Sequence, residues 1–389
     1  MRLLILDQFS DPGGAQQVLL ELLPAIRRRG WHALVGLPGE GAMFASLHAV
    51  GADVEQISCG PFRSGPKSSA DAARLLAQLP RLALQIRRLA ARIRPDLIYV
   101  NGPRLLPAVA LARLRPPVLF HSHSYLPSGL ARTLAGRALR RTNAFTIAVC
   151  EFVAQVWRAW LPAARVQVIY NGVSGPSAVR RRAGHHQLAI GCIGRIAPEK
   201  GQREFLQAAT VIHRSLPNAR FVICGAPAFG DRAAARYFEQ VRTAATGLPV
   251  NFTGWVTDVY PILEDLDVLL VPSAGHEATT RVILEAFAAQ VPVIAFRAGG
   301  IPEIIEHGSN GFLAGSAGEL AQLSIDLLGS EPRRLQTITD RAAADWRTRF
   351  TLDHFHRQVL EVIERLATDG GVTTNGAIVT NANIIKPRE

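Results

Sequence analysis

The chain has 389 residues, 48% of them hydrophobic, and a formal net charge of +12. That length exceeds one ordinary core and predicts two domains, and the lack of any run of eighteen apolar residues excludes a membrane-spanning helix. Cys59, Cys150, Cys192 and Cys224 have no metal-ligand spacing, and the last three fall in or beside apolar runs. They read as reduced core residues of a cytoplasmic protein. The positive charge suits phosphorylated ligands or an anionic membrane surface. Nucleic acid is the weakest partner, because zinc-finger spacing and aromatic–basic interleaving are both missing.

The chain opens with MRLLILDQFSDPGGAQQ. Its apolar run is too short for a signal peptide and predicts a buried strand over 2–7. GGAQQVLLELLPAIRRRG (13–30) predicts a glycine turn, a helix and a stop at Gly30, followed by the strand HALVGLP. RLLAQLPRLALQIRRLAARIRP (74–95) sets Arg74, Arg81, Arg88 and Arg92 on one stripe and Leu75, Leu79, Leu82, Ile86, Leu89 and Ile93 on another. An ordinary solvated helix, with Pro80 as a candidate interruption, is the favoured reading; peripheral contact with an anionic membrane is the alternative. DLIYVN, PVLFHS, FTIAVC and VQVIYNG are further strands. After the basic stretch 173–187 the pattern restarts with LAIGCIG, RFVICG, VNFTGWV, DVLLVPS and VPVIAF. Strands alternating with helices predict a parallel sheet covered on both faces. The expected architecture is α/β, two doubly wound Rossmann-like domains (1–172 and 188–350) facing a cleft. A linker lies at 173–187, a final amphipathic helix at 351–367 and a mobile tail at 368–389. Ligands of such sheets sit beyond the carboxyl ends of the strands.

Two stretches look able to hold a phosphate. IGRIAPEKG (193–201) joins a strand to a helix; Gly194 allows close approach of a ligand to the backbone, and Arg195 and Lys200 bring two cations to one loop. Lysine is rare here, with only Lys67, Lys200 and Lys386 in the chain. The same loop also fits two surface cations in solvent. In HEATTRVILEA (276–286), Thr279 or Thr280 can cap a helix running from Arg281 to about Gln290, whose free N–H groups favour an anion. Glu277 precedes that helix, and Glu285 lies in it among Val282, Ile283, Leu284, Ala286 and Phe287. A surface Glu with a capping Glu explains these two as simply.

Together these pieces resemble the nucleotide-sugar glycosyltransferases of family 4, which are retaining enzymes of GT-B fold. The resemblance spans roughly residues 2 to 365. It rests on GGAQQVLLELLPAIRRRGW, FHSHS and VIYNGV, then GRIAPEKG, LEDLDVLLVPS, the pair Glu277 and Glu285, LEAFAAQVPVIAFRAGGIPEII and NGFL. It implies that Arg195 and Lys200 hold the donor diphosphate, with Gly194 beside them. It implies that Glu277 binds sugar hydroxyls and Glu285 the ribose. Thr280, Arg281 and Val282 fall where backbone N–H groups meet phosphate. Gly13 and Gly14 match the glycine loop bordering donor and acceptor. His121 matches a cleft histidine near the transferred sugar, with His123 as its rival. One departure is EATT, where the family usually carries EGFG, so the loop bearing Glu277 is shaped by residues with narrower backbone freedom.

The resemblance implies front-face transfer from a nucleoside-diphosphate sugar, as co-substrate, to a hydroxyl of a carbohydrate or lipid-linked acceptor. It implies no metal and no further cofactor; cations would stabilise the leaving diphosphate. Rival readings are a nucleotide-sugar epimerase or phosphorylase of the same fold, the latter needing a cofactor lysine for which Lys67 is the spare candidate. A different class is a non-catalytic nucleotide-sugar-binding protein, suggested by EATT.

Overall fold

Short apolar runs followed by amphipathic ones become strand–helix units. The structure, a computed structural model, describes residues 1–39, 41–60, 69–178, 187–227 and 232–368. Lys67, much of the basic stretch at 179–186 and the tail from 369 lie outside the described residues. In the first lobe the strands are β1 (Arg2–Asp7), β2 (His32–Pro38), β3 (Asp53–Ile57), β4 (Leu97–Asn101), β5 (Val118–Ser122), β6 (Phe145–Ala148) and β7 (Val166–Val168). They interleave with α1 (Gly14–Arg28), α2 (Ala42–Ala49), α3 (Ser69–Ile93), α4 (Leu106–Ala112), α5 (Leu130–Thr142) and α6 (Glu151–Arg158). All pairings are parallel, in the order β3-β2-β1-β4-β5-β6-β7.

The second lobe holds β8 (Ala189–Ile193), β9 (Arg220–Cys224), β10 (Val250–Gly254), β11 (Val268–Val271), β12 (Val293–Phe296) and β13 (Phe312–Ala314), again parallel, in the order β10-β9-β8-β11-β12-β13. Its helices are α7 (Gln202–Ser215), α8 (Arg232–Ala244), α9 (Tyr260–Leu263), α10 (Arg281–Ala288), α11 (Ala317–Leu328) and α12 (Pro332–Arg349). The final helix, α13 (Leu352–Thr368), returns to the first lobe. Phe355, Val359, Leu360, Val362 and Ile363 enter the cluster built on Leu3, Ile5, Leu22 and Tyr99.

Two strands escaped the sequence reading. β3 is an edge strand of mixed exposure, DVEQI, and β13 has three residues; neither gives the continuous apolar run of a buried strand. Pro80 does not break α3, which runs from Ser69 to Ile93. Leu79, Leu82, Ile86 and Leu89 are buried in the first lobe's core, and Gln85 bonds the Ser58 N–H and Gln56 carbonyl of the β3 end. The apolar face of this helix is therefore spent on the fold, while Arg74, Arg81, Arg88 and Arg92 stay exposed. No described helix is long and apolar enough to cross a membrane.

Polar and aromatic contacts join the lobes. Arg281 of α10 makes a two-pronged ion pair with Glu21 of α1, at 2.9 and 2.8 Å. The Glu303 carboxylate accepts from the Glu151 and Phe152 N–H groups at 2.7 and 2.8 Å, capping α6 from the other lobe. His276 stacks on Tyr125 with ring centroids 4.4 Å apart. Cys150, buried at the start of α6, lies with its thiol 3.4 Å from the Ala278 carbonyl. All four cysteines are free and buried.

Candidate active site

Strand order places the site. In the second sheet the order turns between β8 and β11, so the loops after these strands flank a crevice at their carboxyl ends. The loop after β8 carries Gly194, Arg195 and Lys200; the loop after β11 carries Glu277 and leads into α10. The two meet directly: Lys200 Nζ lies 2.6 Å from Glu277 Oε2, and both side chains are largely withdrawn from solvent. Arg195 is more open, 37% exposed, and pairs with Glu199 at 2.6 Å. Its backbone carbonyl is held by Gln202 Nε2 at 2.9 Å. Gly194 has φ +155°, a conformation that side chains rarely adopt.

The loop with EATT is shaped from outside. Gly299 has φ +54°, and a Cβ there would lie 1.7 Å from the Glu277 carbonyl oxygen. The next residue, Gly300, donates its N–H to that carbonyl at 3.0 Å. Glycines after β12 thus allow the close approach that fixes Glu277, although the Glu277 loop has none between Glu277 and Thr280. Thr280 stands at the N-cap of α10 with extended backbone, but no side-chain cap bond forms. Thr279 instead meets Asn171 Nδ2 at 3.4 Å. The expected threonine cap is corrected to a backbone-only helix start, whose unfilled donors lie beside the Glu277 loop. Val282 is buried behind this turn.

Glu285 is half-buried one turn further on, 3.8 Å from Arg281 Nε. Burial raises its pKa, with Arg281 opposing and Glu21 and Asp258 adding to the rise. Tyr260, whose pKa is also pushed up by burial and by Glu285, belongs to the same group; the sequence reading did not single it out.

In the first lobe the order turns between β1 and β4. α1 begins there, with Gly13 as its N-cap and Gly14 its first residue. A Cβ on Gly13 would come 2.9 Å from Gln16 Oε1, and one on Gly14 would meet nothing within 4 Å. Beside that turn, Asp7, Gln16 and Asn101 form a buried network that sequence reading missed. Polar residues ending apolar strands were the available signal. A cavity of about 500 Å³ opens past the ends of β1, β2 and β3, lined by residues including Ser10, Asp11, Gln56, Ser58 and Arg81.

The two histidines differ. His121 is wholly buried, its Nδ1 bonded to the Tyr99 hydroxyl and its ring 6.2 Å from Phe355. His123 is half-buried, its ring 3.9 Å from that of His121, with Nε2 2.6 Å from Asn101 Oδ1. Burial pushes the pKa of His121 well down, with His123 adding to the fall. Burial, then Arg281, pushes His123 from 6.5 to about 3. A histidine kept neutral in the fold takes up protons sooner in the unfolded chain, so its stability contribution is complete above 6.5 and declines as pH falls toward 3. Near pH 5.5 the loss is about 1.4 kcal/mol. Asp7 acts oppositely: burial raises its pKa from 3.8 to about 6, so protonation in that interval relieves a buried charge. His123→Gln is expected to flatten the acid side of a plot of urea midpoint against pH. An unchanged slope would rule out a neutral His123.

This geometry can be set beside known proteins. A family model described as Glycosyltransferase Family 4 matches residues 12–174, and one described as Glycosyl transferases group 1 matches residues 187–330. The chain belongs to the family 4 glycosyltransferases. This GT-B glycosyltransferase is 28% identical to Anabaena Alr3699/HepE, solved in complex with UDP and glucose, at TM-score 0.77, covering 94% of this chain and 99% of that one. It is 25% identical over 379 residues to a phosphatidyl-myo-inositol mannosyltransferase of Mycobacterium leprae, covering 93% of this chain and 96% of the relative. It is 31% identical over 251 residues to a GDP-mannose-dependent alpha-(1-6)-phosphatidylinositol monomannoside mannosyltransferase of Mycobacterium tuberculosis, covering 58% and 61%.

Proposed function

We propose that the glycosyltransferase moves a hexose from a nucleoside-diphosphate sugar to a hydroxyl of a carbohydrate or lipid-linked acceptor, with retention of anomeric configuration. The observation that carries this is the Lys200–Glu277 pair at the crevice of the second lobe. A lysine bonded to a carboxylate in the free protein is ready to exchange that partner for a diphosphate, which frees Glu277 to accept sugar hydroxyls. Arg195 and the start of α10 add positive potential, and the half-buried carboxylate of Glu285, 3.8 Å from Arg281 Nε, can accept hydrogen bonds from ribose hydroxyls.

In the reaction, the bond from the anomeric carbon to the β-phosphate oxygen breaks as the bond to the acceptor oxygen forms. The acceptor proton passes to the departing phosphate oxygen on the same face. Arg195, Lys200 and the α10 N–H groups stabilise the charge that develops there. The cavity beyond β1–β3 offers hydroxyl and amide groups to an acceptor. For the cleft histidine, the partial exposure of His123 and its exposure to the field of Arg281 favour it over His121.

Thermal unfolding with UDP, GDP, ADP and the corresponding monophosphates tests the reading. A diphosphate at a hundred times its Kd should add about 2.7 kcal/mol of stability, and its monophosphate clearly less at equal concentration. The relative that binds UDP supports uridine as the base to try first. No shift with any diphosphate would end the proposal.

A further inference from the structure

Asp7 and Asn101 are register partners at the ends of β1 and β4, 0% and 1% exposed. Asp7 Oδ1 accepts from the Phe9 N–H at 2.9 Å and from Gln16 Nε2 at 2.8 Å. Asp7 Oδ2 accepts from Asn101 Nδ2 at 2.5 Å. A backbone N–H can only donate, and an ionised carboxylate can only accept. The amide nitrogen of Asn101 must therefore face Asp7. Its oxygen faces the other way, 2.6 Å from His123 Nε2. That oxygen can only accept, so Nε2 carries the ring hydrogen and Nδ1 is a lone pair. Nδ1 is buried and has no hydrogen-bond partner among the described residues. A buried acceptor without a partner costs free energy in the unliganded fold and awaits a donor.

We infer that Asp7 and Asn101 are positioning residues for sugar transfer: through Asp7–Asn101–His123 they hold the imidazole as its Nε2–H tautomer, so that Nδ1 accepts a hydroxyl hydrogen of the sugar being transferred. The inference rests on the proposal that His123 belongs to the donor cleft. The same carboxylate also holds Gln16, and Asn101 Nδ2 reaches the Ala15 carbonyl at 3.4 Å. One acid thus sets both the glycine start of α1 and the histidine in a single register. His121 and His356 also carry unpaired ring nitrogens; His123 differs in being fixed through Asn101 to the carboxylate that holds the start of α1.

Long-range 1H–15N spectra of histidine-labelled wild-type protein read the tautomer without a variant or a substrate. His123 is expected with its hydrogen on Nε2; a hydrogen on Nδ1 overturns the inference. In kinetics, Asn101→Leu and the near-isosteric Asp7→Asn are expected to lower kcat, Asn101→Leu roughly a hundredfold, with donor KM changed much less. Adding Asn101→Leu to His123→Ala should cost little more, because both act through one ring. Wild-type kcat in folded Asn101→Leu, with His123→Ala crippled, overturns the positioning role alone. Wild-type kcat in His123→Ala removes His123 from the cleft, and the inference falls with that reading.

Discussion

Arg195→Ala and Lys200→Ala are each expected to lower kcat about a hundred- to thousandfold, the usual result of removing one preorganised donor from a developing oxyanion. Their effects on stability should differ. Arg195 is exposed and its partner Glu199 lies one turn away, an arrangement typically contributing well under ~1 kcal/mol. Thermal unfolding of Arg195→Ala should therefore stay close to wild type. Lys200 is 23% exposed and Glu277 13%, so Lys200→Ala strands a carboxylate that is mostly shielded from water. That costs roughly 1–3 kcal/mol of stability in addition to the loss of rate. Steady-state kinetics beside calorimetry separates the two contributions. Turnover at the wild-type level in both variants would remove the diphosphate assignment.

Gly299→Ala is the second large effect, and it acts through the backbone. The added Cβ would stand 1.7 Å from the Glu277 carbonyl oxygen and 3.1 Å from its nitrogen. Backbone atoms offer no flexible end that can swing aside, so the Glu277 loop must move by more than about 1 Å, a misplacement that typically costs on the order of a hundredfold in rate. Gly308→Ala is the control. Its φ of +78° carries similar left-handed strain, but a Cβ there meets nothing within 4 Å. Both variants should lose about 1–2 kcal/mol from the strained backbone, while only Gly299→Ala should lose turnover. Full activity in Gly299→Ala would mean that the position of Glu277 does not matter.

The architecture was legible because its strands are buried on both faces. RLLILD, HALVGLP and DVLLVPS announce themselves as apolar runs, and the helices between them carry a periodic apolar face. β3 and β13 were not legible, since an edge strand needs only one apolar face and a three-residue strand has no pattern to show. Pro80 was overvalued as a breaker. The packing of Leu79, Leu82 and Ile86 into the first core holds the helix through it.

At the site the division follows chain separation. Sequence alone could bring together Gly194, Arg195 and Lys200, because they share one loop, and could set Glu277 ahead of the helix bearing Glu285. Spacing along one loop or helix is local information. Which residues oppose one another across the crevice is not. Lys200 meets Glu277 from 77 positions away, Arg281 grips Glu21 from 260, and Asn101 joins Asp7 from 94. The choice between His121 and His123, whose rings lie 3.9 Å apart, turns on what covers each, and Phe355, from the far end of the chain, lies against the His121 ring. The amino-acid order determined the two parallel-sheet lobes and the cationic loop. Tertiary structure decided which carboxylate answers each cation and which histidine stays buried, because burial and pairing depend on what the other strands and the other lobe bring alongside.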